Sequence, residues 1–284
     1  MREKRRDGKT IVKERKMVRD GLFLCPHCGH KLSIKEKSLV CENGHCFDVA
    51  KSGYVNLLPA NRKNSVDPGD NKEMIAARVR VMNKGYYRPL AEYIAQTLKE
   101  KSGSVLDAGC GTGYIAGYIK NALKDTEVTG TDISKHAIEQ ASKLYKQVNF
   151  AVASSKRLPI EEKSVSAVIC AFAPVYAEEF ARVTKENGLL LRVVPAKNHL
   201  YNLKEFLYEE PRYNEEDDAE FAGYEKESVK TVKGVFEGNA DEIKALVKMT
   251  PYYYHTSQEK LSKLDGVRTL SVNTEFEVRI FRKA

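Results

Sequence analysis

The sequence predicts an α/β protein, a doubly wound parallel sheet preceded by a small Cys/His-rich module. Three observations carry that expectation. From residue 104 onward, short apolar runs alternate with amphipathic helical stretches, a pattern that sets parallel strands side by side and helices over both faces. A glycine-rich turn, Asp107-Ala108-Gly109-Cys110-Gly111-Thr112-Gly113, joins the first of these strands to a helix. Four cysteines, Cys25, Cys28, Cys41 and Cys46, are clustered near the N-terminus.

Residues 1–22 form a charged arm. Between positions 1 and 20 it holds nine Lys/Arg against four Asp/Glu, which supplies +5 of the chain's net charge of +8. We read it as a solvated arm in preference to an RNA-gripping one. Residues 23–48 form the Cys/His module, 49–103 a connector with helices, and 104–284 the sheet domain. In the connector, Asp67-Pro68-Gly69-Asp70 is turn chemistry, and Asp70 with Glu73 three residues on reads as a capping box that opens a helix. A second helix starts near Pro89, with Leu90, Tyr93, Ile94, Thr97 and Leu98 on one stripe. Strands are expected at 104–108, 127–131, 148–152, 165–172 and 188–194, with helices at 114–123, 135–145 and 177–185 between them. Beyond these lie a helical segment at 198–208, an acidic stretch at 209–220, a helix at 241–248 and two β-rich runs at 267–272 and 275–281.

The 284 residues are 42% hydrophobic and 30% charged, enough apolar material for a sizeable core, which excludes disorder as the main state. The basic balance, with a pI near 9.0, suits an anionic partner. The longest apolar stretch, 167–177, is interrupted by Pro174 and too short to cross a bilayer. No secretory pattern follows the charged N-terminus. The expected location is the cytoplasm, where thiols stay reduced, with no membrane partner.

In that setting clustered cysteines read as metal ligands. Cys25-Pro26-His27-Cys28, twelve intervening residues and Cys41-Glu42-Asn43-Gly44-His45-Cys46 make two knuckles with the spacing of a tetrahedral Zn²⁺ site. Cys25, Cys28 and Cys41 supply three ligands, and His45 or Cys46 the fourth. Four protein ligands leave no open position, so the zinc is structural. A module confined to 23–48 cannot hold a core alone, and the metal would contribute most of its folding free energy, on the order of 10 kcal/mol.

The glycine turn fails the dinucleotide fingerprint G-x-G-x-x-G, because Tyr114 stands at the third glycine position. Asp107 would repel a pyrophosphate but suits a zwitterionic, sulfonium-bearing amino acid, while Gly109 and Gly111 let the backbone approach a ligand. Asp132, downstream of Gly113 at the end of the second strand, is placed to accept both ribose hydroxyls of an adenosine. The D-x-G-x-G-x-G loop resembles that of class I S-adenosylmethionine-dependent methyltransferases, which have a Rossmann-like sheet.

The whole chain from Phe23 onward resembles the RlmA-type large-subunit rRNA guanine-N1 methyltransferases. The resemblance rests on Cys25-Pro26-His27-Cys28, Cys41 with His45, and the run Ala50-Lys51-Ser52-Gly53-Tyr54-Val55-Asn56-Leu57-Leu58-Pro59. It continues through Asp67 to Asp70, Glu73-Met74, Asp107 to Gly113, Ala153-Ser154-Ser155, Arg157-Leu158-Pro159 and Ala173-Pro174. It implies zinc held by Cys25, Cys28, Cys41 and His45, and cofactor contacts from Tyr87, Gly111-Thr112 and His199. From the residues alone, Tyr87 reads as core and His199 as a surface residue at a helix start. The implied activity is S-adenosylmethionine-dependent methylation of N1 of a guanosine in a 23S rRNA hairpin, with a homodimer as an admissible assembly. No general base can be named from the sequence. A small-molecule methyltransferase would share the loop and Asp132 but not the zinc module. A non-catalytic zinc-ribbon nucleic-acid-binding protein would not need the intact cofactor loop.

Overall fold

The computed structural model describes residues 18–59, 71–100 and 103–284. Most of the charged arm, and the turn at 67–70 with Asp70, lie outside the described residues.

The Cys/His module contributes three short antiparallel strands, β1 (Ser33–Lys35), β2 (Ser38–Val40) and β3 (Cys46–Asp48), paired in that order. Directly after it, β4 (Val55–Asn56) joins the edge of the main sheet, parallel to a strand nearly a hundred residues later in the chain. Helices α1 (Lys72–Asn83) and α2 (Arg88–Leu98) follow. The α1 cap is Asn71, whose side chain accepts from the Met74 amide. The expected cap at Asp70 is therefore displaced by one residue, because Asn71 is itself a strong cap former.

The sheet domain then alternates β5 (Ser104–Ala108), α3 (Tyr114–Ala122), β6 (Glu127–Asp132), α4 (Lys135–Leu144), β7 (Asn149–Val152), β8 (Val165–Ala171), α5 (Ala177–Val183) and β9 (Thr184–Pro195). The later part adds α6 (Tyr201–Leu207), β10 (Tyr224–Gly238), α7 (Ala240–Lys248), a 3-10 turn at Pro251–His255, α8 (Gln258–Ser262) and β11 (Leu270–Lys283). Eight strands form one sheet in the order β10-β11-β9-β8-β5-β6-β7-β4. It is parallel from β4 to β9, and β11 and β10 run antiparallel to their neighbours.

Successive strand residues feed opposite faces. Val105, Ile169 and Leu191 join a core with α2, α3, α4 and α7, while Leu106, Val168 and Leu190 join a second core with α5 and the Cys/His module. Phe23 and Leu32 of the module are fully buried in that second core beside Leu158 and Ile160, and the Leu24 amide donates to the Pro159 carbonyl at 2.9 Å. The module is thus packed onto one face of the sheet.

Candidate functional site

A cavity of about 830 Å³ opens at the carboxyl ends of β5, β6, β7 and β8, where the strand order reverses, the place where open α/β sheets bind ligands. Its floor is the glycine loop, its roof is α1 with Met74, Arg78 and Met82, and its side wall is the chain after α7 with Thr250, Tyr252 and Tyr254.

The loop is pinned to β6. The Gly109 and Cys110 amides both donate to the Thr131 carbonyl, at 2.8 and 3.0 Å. The Gly111 amide donates to Asp132 Oδ2 at 2.9 Å, and the Ser134 amide donates to Asp132 Oδ1 at 2.8 Å. At Gly111 the backbone is left-handed, with φ +52°, and a Cβ would point into the cavity with nothing nearer than Arg78 Cδ at 4.0 Å. A side chain there would occupy ligand space. Thr112 is buried beside it.

Asp107 is 1% exposed and neither carboxylate oxygen completes a hydrogen bond, although the Ala116 amide in the first turn of α3 faces it. Loss of hydration lifts its carboxyl to about 7; the Ala116 amide opposes the rise, and the like charge of Asp132 adds to it. A buried carboxylate without a partner is costly unless a ligand cation meets it. This orphaned acid, the open Gly111 cradle and Asp132 at the next strand end together fit a zwitterionic amino acid linked to an adenosine.

Tyr87 is half-buried and lines the cavity, its ring stacked on Phe172 with centroids 5.3 Å apart. His199 also lines the cavity but is 5% exposed, so the surface reading of that residue is overturned. The helix begins later, at Tyr201, and the segment before it is pressed against β11, where the Leu200 amide donates to the Asn273 carbonyl. Burial pushes the His199 imidazole down to about 4. Sequence reasoning missed Phe172, Tyr86 and Arg78. Phe172 follows β8 with φ +56°, a strained geometry for an aromatic residue of the kind that clusters at functional sites. It stands 39% exposed at the cavity mouth, with Tyr176 and Tyr254 also exposed there. Its place before Ala173-Pro174 was the available sequence signal.

The second constellation is in the Cys/His module. Ligand atoms of Cys25, Cys28, Cys41 and His45 all lie within 4.8 Å of one another. His45 Nδ1 is 3.5 Å from Cys25 Sγ and 3.4 Å from Cys41 Sγ, and Cys28 Sγ is 3.6 Å from Cys41 Sγ. Tetrahedral zinc with ordinary bond lengths spaces its ligands by about 3.5 Å for N to S and about 3.8 Å for S to S, so the set fits zinc. The His30 backbone lowers the Cys28 thiol to about 5, which favours the ligating thiolate. Cys46 is exposed on β3 and is not part of the cluster.

Comparison with known proteins agrees with this geometry. A zinc-ribbon family model described as "RlmA, N-terminal" matches residues 23–66, and a methyltransferase-domain model matches residues 105–189. The chain is 31% identical over 271 residues to the 23S rRNA (guanine(748)-N(1))-methyltransferase of Streptomyces fradiae, covering 89% of this chain and 95% of that protein. It is 32% identical over 279 residues to a Bacillus subtilis protein named "Putative 23S rRNA (guanine-N(1)-)-methyltransferase YxjB", covering 92% of this chain and 97% of that one. Among solved structures, a chain of the complex between the Haloferax volcanii Trm112 methyltransferase activator and a methyltransferase is similar at a TM-score of 0.50. The likeness covers 76% of this chain and 98% of that chain at 17% identity, and it shows the fold alone. Among the described residues, no helix is long and apolar enough to cross a membrane.

Proposed function

The chain belongs to the 23S rRNA (guanine-N1)-methyltransferase family, and we propose that it transfers a methyl group from S-adenosylmethionine to N1 of a guanosine in a 23S rRNA hairpin. The observation that carries this reading is the pairing on one chain of a zinc-ligand cluster with a cavity floored by D-x-G-x-G-x-G, matched by such enzymes over about nine-tenths of its length. A small-molecule methyltransferase has no need of the first, and a non-catalytic binding protein no need of the second.

In this reading Cys25, Cys28, Cys41 and His45 hold structural zinc. Asp132 receives the ribose hydroxyls, Asp107 meets the positive amino-acid end, and Gly109, Gly111 and Thr112 line the cofactor with backbone. Tyr87 closes over it, and His199 stands behind. When bound, the cofactor supplies an electrophilic methyl group on a sulfonium. The chain's work is orientation, holding N1 in line with that methyl. Because N1 is hidden in a base pair, the target must come from a loop or be turned out of a stem. Phe172, Tyr176 and Tyr254 at the cavity mouth offer faces on which an extruded base can stack, worth about 1–3 kcal/mol for each base stacked. Both His199 nitrogens already face protein partners, Tyr86 and the Glu275 amide, so this imidazole is not placed to remove the N1 proton. A homodimer is the assembly the family resemblance admits, and sedimentation at micromolar concentration decides it.

The test is methylation of a 23S rRNA hairpin transcript by the purified protein, followed by primer extension. Methyl at N1 blocks pairing, so a stop is expected at a single guanosine, and Phe172→Ala should weaken that stop strongly. Label incorporated without a stop would place the methyl elsewhere and overturn the reading.

A further inference from the structure

A second cavity, of about 660 Å³, lies beside the first and shares Pro195 and Tyr252 with it as a common wall. It is bounded by α6, the acidic stretch that follows α6, and the 3-10 turn. Lys204 of α6 lines it, although only 6% of that residue is exposed. The Lys204 ammonium donates to the Arg212 carbonyl at 2.9 Å and to Asn214 Oδ1 at 2.8 Å, and it stands 4.5 Å from the centre of the Tyr252 ring. Both acceptors are neutral. An ammonium has three N–H groups, and among the described residues the third meets no oxygen or nitrogen and no carboxylate pairs with the charge. A buried charge in that state is costly unless a ligand acceptor meets it.

The rest of the lining narrows what that ligand can be. Glu210 and Glu215 are exposed at the rim, and among the described residues neither has a partner. Asp217, the third acid there, is held by Arg192 Nε at 2.8 Å. Lys204 and Arg212 balance Glu210 and Glu215 in charge, so a phosphate would meet two carboxylates and a neutral ligand is favoured. A ring that carries a carbonyl beside an N–H satisfies both kinds of group, the carbonyl accepting from Lys204 and the N–H donating to a carboxylate. Tyr213, 53% exposed and backed by Tyr201 with the rings 4.2 Å apart and 7° from parallel, gives a flat face for such a ring. Guanine and uracil carry the carbonyl and N–H side by side. Adenine and cytosine have an amino group in place of that carbonyl, which would set donor against donor. The common wall with the cavity that takes the target guanosine puts this base on the same strand, beside the target.

We propose that the second cavity takes the base of a nucleotide adjoining the target guanosine and selects guanine or uracil there, with Lys204 donating to the carbonyl, Glu210 or Glu215 accepting from the ring N–H, and Tyr213 stacking on the ring. Contacts to flanking nucleotides are a general means by which enzymes acting on an extruded base choose their sequence. The proposal rests on the rRNA reading above and gives that reading a sequence preference.

Hairpin transcripts carrying each of the four bases at each position flanking the target test it, with S-adenosylmethionine saturating and kcat/KM read for every transcript. One flanking position should favour guanine and uracil over adenine and cytosine by about tenfold. Lys204→Met should erase that preference by slowing the guanine and uracil transcripts and not the others. Glu210→Gln/Glu215→Gln should also reduce it while leaving buried residues untouched, and so decides the matter should Lys204→Met disturb the packing around Asn214. Tyr213→Ala should lower kcat/KM for all four bases alike, because stacking is sequence-tolerant. Calorimetric affinity for S-adenosylmethionine should stay within about twofold in all three variants. Equal rates for the four bases at both flanks, or a preference that Lys204→Met and Glu210→Gln/Glu215→Gln leave intact, overturns the proposal and leaves the rRNA reading standing. An equal fall for every transcript in Lys204→Met, with the preference kept, makes Lys204 a strut for residues 212–214 and overturns it as well. Failure of the wild-type chain to methylate any transcript removes the rRNA reading and the proposal with it.

Discussion

Asp107 holds a carboxyl raised to about 7 because burial strips its hydration and Asp132 adds a like charge. Its ordinary value in an unfolded chain is near 3.9, so the native state binds the proton more tightly than the unfolded state does. The stability this group contributes is fully present below about pH 4 and is lost as pH rises through about 7. The loss amounts to a few kcal/mol once the group is ionised. Asp107→Asn should therefore gain stability relative to the wild type between pH 4 and 7, the difference levelling off above that window. Denaturant unfolding of the ligand-free protein at several pH values reads it directly, and a constant difference across the window would remove the buried charge as its cause. At the neighbouring acid the expectation is different. Asp132 pins the Gly111 and Ser134 amides, so Asp132→Ala should cost cofactor affinity by roughly 1.5–3 kcal/mol and also loosen the loop. The acids were legible in the sequence because residue type and spacing carry their chemistry. Tyr86 was not, since the fold brings it to the cavity wall beside an imidazole 113 residues away, and Arg78 only becomes part of the site once α1 is folded over the loop.

The strand–loop–helix unit of β5 and α3 uses its glycines for two separate purposes. Gly111 has open cavity where a Cβ would stand, whereas a Cβ at Gly113 would come within 2.8 Å of Phe150 and 2.9 Å of Ala141. Both have positive φ, so both alanine variants pay backbone strain of about 1 kcal/mol. Only the second must also displace a buried ring. Gly111→Ala should leave the melting temperature within a few degrees and weaken S-adenosylmethionine sharply, while Gly113→Ala should lower the melting temperature clearly more. Paired thermal melts and calorimetry decide this, and equal melting temperatures would contradict the assignment. The parallel strands were legible because they are buried on both faces and read as continuous apolar runs; β5 has the bounds expected, and β6, β7 and β8 differ by one residue at one end. Other boundaries moved further. Helix α5 stops at Val183 because Thr184 already begins β9 beside Val165. The two C-terminal β-rich runs are one long strand, β11. Strand β10 was missed altogether. It is an edge strand exposed on both faces over 225–231, where Glu225, Lys226, Glu227 and Lys230 erase the alternation. Such charges guard a sheet edge, and in doing so they hide it from a reading based on apolar periodicity.

At the scale of the molecule, one of the links between the zinc module and the cofactor cavity is a short segment after β7. Ser154 and Ser155 line the cavity, and a few residues on, Pro159 accepts from Leu24 of the module while Leu158 and Ile160 pack in its core. Sequence alone suggests a module able to fail by itself; the shared core couples it to the sheet. The segment has a second anchor, however. Arg182 on α5 donates to the Ile160 and Leu158 carbonyls at 3.0 and 3.1 Å, and Glu179 accepts from the Leu158 amide at 2.6 Å. These bonds do not pass through the module and should keep Ser154 and Ser155 in place when the metal is lost. A Cys25→Ser/Cys28→Ser variant should then lose its zinc and some thermal stability, yet bind S-adenosylmethionine within a few-fold of the wild type. It should fail to methylate the rRNA hairpin. The β1–β2 hairpin carries Lys35 and Lys37, both exposed, and loss of the metal that Cys25, Cys28, Cys41 and His45 would hold should loosen their placement. For every phosphate that a lysine no longer neutralises, the dependence of log affinity on log salt should flatten by about 0.9 if the RNA there is helical and by about 0.7 if it is single-stranded. Elemental analysis, calorimetry and RNA titration at several salt concentrations follow the three quantities separately. Methylation at the wild-type rate by the zinc-free variant would reduce the module to a structural cover for the sheet. Loss of cofactor binding in step with the metal would mean that the Arg182 anchor is too weak to hold the segment alone.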